Sequence, residues 1–129
     1  EKADEDRYFA YYFINSLQAV RQGRWKLHLP RPANPPWLGN FAKNSHVAPA
    51  DWKGFDEPFL IDLETDPGES MSVTAENSEV VARLLALAEK VRADIGDHDR
   101  VGEHMRFFEP GERPQKAYFP DLKRYPKRK

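Results

Sequence analysis

Leu17-Gln18-Ala19-Val20-Arg21-Gln22-Gly23-Arg24-Trp25-Lys26-Leu27-His28-Leu29 is the stretch that decides the fold. Strand-favouring residues lie on both sides of Gln22-Gly23, where glycine supplies the positive φ that a tight hairpin turn demands. The stretch predicts two short antiparallel strands, over residues 17–21 and 24–29. Just upstream, Arg7-Tyr8-Phe9-Ala10-Tyr11-Tyr12-Phe13 is aromatic and apolar on both faces, and Asn15-Ser16 supplies turn chemistry after it. Residues 7–13 therefore add a first strand, and the three form a meander. Downstream, Pro58-Phe59-Leu60-Ile61-Asp62-Leu63 predicts a fourth strand, closed by the turn Thr65-Asp66-Pro67-Gly68.

The helix signal follows directly. Val80, Val81, Leu84, Leu87, Ala88, Val91 and Ile95 recur at helical spacing over residues 78–95, with Asn77 as the expected N-cap and Gly96 as the stop. Burying each larger apolar side chain contributes roughly 1.5–3 kcal/mol, while ordering each residue costs roughly 1–2 kcal/mol of backbone entropy. Such a helix persists only when packed on the sheet. The expected fold class is α+β: a small four-stranded antiparallel sheet with one long helix on one face. Past Gly96 the pattern decays, and residues 103–108 predict a further helical turn or a strand. The strands at 7–13 and 58–63 are apolar on both faces, as in a sheet covered on both sides. One amphipathic helix covers one face, so the other is expected to meet a loop, the tail, a second copy or another domain.

Two segments fall outside this framework. Residues 30–57 connect the third and fourth strands and hold prolines at 30, 32, 35, 36 and 49 together with Trp37, Phe41, Trp52 and Phe55. A connection this long is generally functional or disordered, and four large rings favour a packed excursion that covers something. Residues 113–129 form a proline-rich tail with seven basic groups and one acid, whereas residues 1–112 carry 13 basic and 20 acidic groups. The expected organisation is a domain over 1–112, with a variable loop at 30–57, and a solvated basic tail over 113–129.

Composition bounds the chemistry. The chain has 129 residues, 20 basic and 21 acidic side chains, and no cysteine. That excludes disulfides, thiolate metal sites and a cysteine nucleophile within it. Charged residues make up 32% and mean hydropathy is −0.80, yet 12% of residues are aromatic, which favours a packed core over disorder. No apolar run approaches the ~20 residues of a membrane span, so no membrane partner is expected. No basic face or motif points to nucleic acid. There is no Gly-x-Ser-x-Gly elbow, glycine-rich phosphate loop or dinucleotide fingerprint. His28 lies in a strand, and His46 in the long loop. His98 and His104, with Asp97, Asp99 and Glu103, have the element types of a metal site but fit no helical ligand spacing, so no metal is expected there. Asp62, Glu64, Asp66 and Glu69 bracket a turn. On its own residues the chain is not an enzyme.

Several segments in order resemble a known family. Tyr8-Phe9-Ala10-Tyr11-Tyr12, then Leu17-Gln18-Ala19-Val20-Arg21-Gln22-Gly23-Arg24-Trp25-Lys26-Leu27-His28, resemble the first strands of the C-terminal subdomain of arylsulfatase-type sulfatases. Phe59-Leu60-Ile61-Asp62-Leu63-Glu64-Thr65-Asp66-Pro67-Gly68-Glu69 is similar to that subdomain's strand and turn, and residues 77–95 to its closing helix. The resemblance covers about residues 7–112 apart from the long loop. It implies a sulfuric ester hydrolase as the parent polypeptide, with this segment inactive alone. It further implies an N-terminal catalytic domain in cis, holding a formylglycine and a divalent cation, usually calcium. The sheet would pack against that domain with the helix on its other side, and the family suggests a periplasmic, secreted or lysosomal setting. No serine here is followed by x-Pro-x-Arg, so the formylglycine motif is not in this chain. Tyr12, Trp37, His46, Trp52 and Lys53 are the expected substrate-rim residues, because indole faces stack rings and cations attract sulfate. Phe13-Ile14-Asn15 follows the paired tyrosines where many relatives have Arg-Gly. The competing expectation is an autonomous binding module whose aromatic loop and basic tail meet a carbohydrate or acidic partner. An isolated chain is also expected to form a homodimer through the exposed sheet face.

Overall fold

The computed structural model describes residues 7–13, 16–31 and 54–105. Four strands, β1 (Tyr8–Phe13), β2 (Ser16–Gln22), β3 (Trp25–His28) and β4 (Phe59–Asp62), form one antiparallel sheet in the order β1-β2-β3-β4. The tight turn after Gln22 uses Gly23 at φ 58°. The long helix α1 (Ser78–Ile95) lies across this sheet, and a two-residue ladder, β5 (Gly96–Asp97) with β6 (Arg100–Val101), follows it. The expected α+β architecture is present. The tail over 113–129 and most of the loop over 30–57 lie outside the described residues.

Strand alternation and register sort the side chains by face. Val20 stands opposite both Ala10 and Leu27, and Leu27 opposite Leu60. Val20, Leu27 and Leu60, with Leu17 and Leu29, meet Leu84, Ala88 and Val91 of α1 in one buried cluster, flanked by Tyr8, Ala10, Tyr12, Trp25, Val80, Val81 and Leu87. Leu84 is fully buried, and truncation to alanine leaves a cavity beneath the helix. Leu84→Ala is expected to lower unfolding free energy by about 2–5 kcal/mol in urea titrations. Ile95, grouped with the buried helix face by spacing, is exposed, because the chain turns away at Gly96.

Between Tyr11↔Ala19 and Tyr12↔Leu17 the register slips, leaving Gln18 as the extra residue of a bulge in β2. Its buried amide is not idle. Nε2 donates to Ser16 Oγ at 2.9 Å, and Oε1 accepts from the Arg31 guanidinium. Arg31 and Phe55 exchange backbone hydrogen bonds, both 2.9 Å, so the two ends of the long connection are clamped together beyond β3 and β4.

The N-terminal end of α1 departs from the expected cap. Asn77 does not cap with its side chain; Nδ2 donates back to the Val73 carbonyl at 2.9 Å instead. That bond steadies a segment already tied to β4, since the Val73 amide donates to Leu60 O (2.8 Å) and the Leu60 amide to Thr74 Oγ1 (2.9 Å). Gly96, at φ 102°, ends the helix as expected. Residues 103–105 form neither a further helix nor a strand; the amides of Glu103 and His104 donate to Ala93 O and Asp94 O, each at 2.8 Å. These carbonyls are helix-end acceptors that otherwise lack partners.

Candidate functional site

The sheet face turned away from α1 carries the chemistry. By register it presents Phe9, Tyr11 and Phe13 from β1, Ala19 and Arg21 from β2, Lys26 and His28 from β3, and Phe59 and Ile61 from β4. The face is divided. Toward β4, Ile61 is fully buried, and His28 stacks on Phe59 with ring centres 4.4 Å apart. Toward β1, Phe9, Tyr11 and Phe13 are 57%, 37% and 38% exposed. Cations lie over the rings: the Arg21 guanidinium is 5.8 Å from the Phe9 ring centre, and Lys26 Nζ is 4.6 Å from that of Tyr11.

The turn after β4 reaches onto this face. Asp62 receives the Arg24 guanidinium through both carboxylate oxygens and accepts the Glu64 amide at 3.1 Å. The Arg24 hydrogen bond, the largest influence, helps bring its carboxyl down to about 2. Asp66 then accepts from the Ser70 amide (2.7 Å), Ser70 Oγ (3.0 Å) and the Met71 amide (2.8 Å), which folds the chain back on itself. This places the Glu69 carboxylate between Lys26 Nζ and His28 Nε2, each at 2.6 Å. Burial works to raise the Glu69 carboxyl, but these two partners outweigh it and hold it below the ordinary carboxylate range. For His28, burial lowers the imidazole's affinity for a proton more than the Glu69 hydrogen bond raises it. At neutral pH the ring is therefore uncharged and donates Nε2–H to Glu69.

A second polar cluster ties the helix end to the sheet. Asp97 is buried, and its Oδ1 accepts from the Leu17 amide (3.0 Å), the His98 amide (2.8 Å) and His98 Nδ1 (3.1 Å). Its Oδ2 accepts from Arg92 Nε at 2.7 Å. Asp97, His98 and Asp99 form a group of three acidic and histidine side chains whose ligand atoms all lie within 4.8 Å of one another. Arg92 already delivers a positive charge to Asp97, and both of its carboxylate oxygens accept from protein donors.

Of the expected rim residues, Trp37, His46, Trp52 and Lys53 lie outside the described residues. Tyr12 is half-buried on the helix side of β1, where its hydroxyl donates to Gly96 O at 2.7 Å. Burial, with Asp97 nearby, pushes that hydroxyl up to about 12. The structure thus joins Tyr12 to the helix end. What the sequence did not disclose is the bridge from Glu69 to Lys26 and His28. Their two-residue spacing puts Lys26 and His28 on one strand face, but nothing local signals an acid more than 40 positions later.

No helix of the described residues is long and apolar enough to cross a membrane. No curated protein matches the chain. A family model described as the C-terminal region of aryl-sulfatase matches residues 4–115, which takes in the six strands and the helix of the described residues and the turn bearing Glu69. With that span of the sequence accounted for, the chain belongs to the family of aryl-sulfatase C-terminal regions.

Proposed function

We propose that the chain is the supporting C-terminal part of a sulfatase, inactive by itself, which docks through the β1 half of its open sheet face onto a catalytic portion of the same polypeptide. The observation that carries this reading is the row Phe9, Tyr11 and Phe13, rings that stay partly exposed on a sheet whose other face is covered by α1. Contiguous exposed apolar surface of this kind marks an interaction site. Family membership supports the choice of partner. In this proposal the formylglycine, the divalent cation and the proton-transfer groups belong to the partner portion. This chain then contributes a fixed platform. The Arg31–Phe55 clamp fixes the two ends of the long connection, and in this proposal Trp37, His46, Trp52 and Lys53 belong to the substrate rim, with Tyr12 bracing the strand beneath.

The test is a comparison of aryl-sulfate hydrolysis by the 129-residue chain and by the longest polypeptide encoded in its reading frame. Turnover is expected only from the longer protein, and Phe9→Asp in that protein is expected to depress activity or release a separately cleavable C-terminal part. Clear hydrolysis by the 129-residue chain would overturn the division of labour.

A further inference from the structure

We propose that Lys26 and His28 form an oxyanion-binding site on the open sheet face, that Glu69 fills this site from within the chain, and that a sulfate- or carboxylate-type oxyanion takes its place when Glu69 is withdrawn. The inference rests on the geometry of these residues and is independent of the catalytic reading above.

Lys26 Nζ approaches Glu69 Oε1 and His28 Nε2 approaches Oε2, each at 2.6 Å. Two donors thus meet two oxygens of one anion, the arrangement that also suits two oxygens of a sulfate. Each donor has a second anchor that does not involve Glu69. The Lys26 ammonium rests over the Tyr11 ring, reached past the small Ala19, and the His28 imidazole lies flat on Phe59 with 13° between ring planes. Removing the carboxylate therefore leaves the donors in position. The Lys26 and His28 side chains are only 14% and 15% exposed, while that of Glu69 is 30% exposed, so the anion is the most accessible member of the trio.

The backbone carries an independent sign. Glu69, at φ 54°, is the non-glycine residue with positive φ among those described. Such a conformation is strained for a residue with a Cβ, and residues held in it concentrate at ligand clamps and switch regions. The rest of the turn does not depend on the Glu69 side chain, because Asp66 holds the Ser70 and Met71 amides and the Glu69 amide itself donates to Asp66 O at 3.1 Å. Glu69 can swing out while the turn keeps its shape. The surrounding charge favours an anion: Arg21 stands opposite Lys26 in register, and the charge of Arg31 is felt at His28.

The experiment uses the full chain with Glu69→Gly, which removes the carboxylate and relieves the positive φ together, and with Glu69→Gln as a second variant that keeps the turn's side-chain bulk. Sodium sulfate is titrated against sodium chloride at matched ionic strength while the His28 imidazole resonances are followed by NMR. Both variants are expected to show a saturable His28 shift, with sulfate bound at least about tenfold more tightly than by the wild-type chain, the equivalent of about 1.4 kcal/mol. Adding Lys26→Met to Glu69→Gly is expected to abolish the shift. A parallel acetate titration that moves the same resonances supports the same site, and the ratio of the two constants assigns its preference between tetrahedral and planar anions. Sulfate binding no tighter in both Glu69 variants than in wild type, or binding that survives Lys26→Met, overturns the proposal.

Discussion

Gly102→Ala is expected to cost more than about 3 kcal/mol, above the usual range for adding one methyl group to a packed interior. A Cβ built at Gly102 would lie 2.3 Å from both Gly96 N and Ile95 C, and 2.4 Å from Asp94 O. All three are backbone atoms of the helix end, so no side chain is available to rotate away. The clash also spreads. Residues 103 and 104 return their amides to Ala93 O and Asp94 O, and displacing Gly102 withdraws both donors from the last turn of α1. Urea unfolding of the variant is expected to show a lower midpoint. Hydrogen exchange of the Gly96 amide, which donates to Arg92 O, should rise by a larger factor than exchange in β2 and β3. An unchanged midpoint would mean that residues 96–105 are not seated on the helix as described.

Asp97→Asn is the second large loss. The substitution keeps the shape of the side chain but leaves the largely covered Arg92 guanidinium facing a neutral amide. Removing one partner of a buried ion pair costs about 3–5 kcal/mol. Arg92 retains Glu89 at 2.5 Å, which places the expected loss near the lower end of that range. The pH dependence gives the same pair a signature. Burial alone would raise the Asp97 carboxyl, but hydrogen bonds from His98, the Leu17 amide and Arg92 outweigh it and hold it far below the ordinary carboxylate range. A carboxyl depressed in the folded state contributes stability above its unfolded pKa of about 4, and that contribution is lost as pH falls toward the folded value. Denaturation of the two proteins at a series of pH values is therefore expected to show a full stability gap at pH 6–7 that narrows below about pH 4. A gap constant across that range would mean that the charge on Asp97 is not what holds the helix end to β2.

The sheet and helix were legible because their signals are local. Alternation and turn chemistry around Gln22-Gly23 place β2 and β3, and the spacing from Val80 to Val91 places α1. The ends were less legible, because they are decided by competition for donors and acceptors across distant segments. Asn77 has the composition of a cap, yet the Val73 carbonyl takes its amide. The acid–histidine run after Gly96 has the composition of a metal site, yet Arg92 and the Leu17 amide, one of them 80 residues away, claim Asp97 first. Glu69 is the sharpest instance. Within Asp66-Pro67-Gly68-Glu69 it reads as a turn residue, and only the fold brings it to Lys26 and His28. The expected split of the sheet into a sealed face and an unsealed one was readable from the count of apolar strands against helices. That the unsealed face is itself divided between β4 and β1 was not.

The exchange of hydrogen bonds between Arg31 and Phe55, braced by Gln18, has an evolutionary meaning. A connection whose two ends are joined at its base can be lengthened, shortened or rewritten without the strands beneath it registering the change. Each doubling of a flexible loop adds only about 0.6 kcal/mol of closure entropy. The fold thus separates a fixed frame from an exchangeable insert, so that selection on whatever the insert contacts need not be selection on stability.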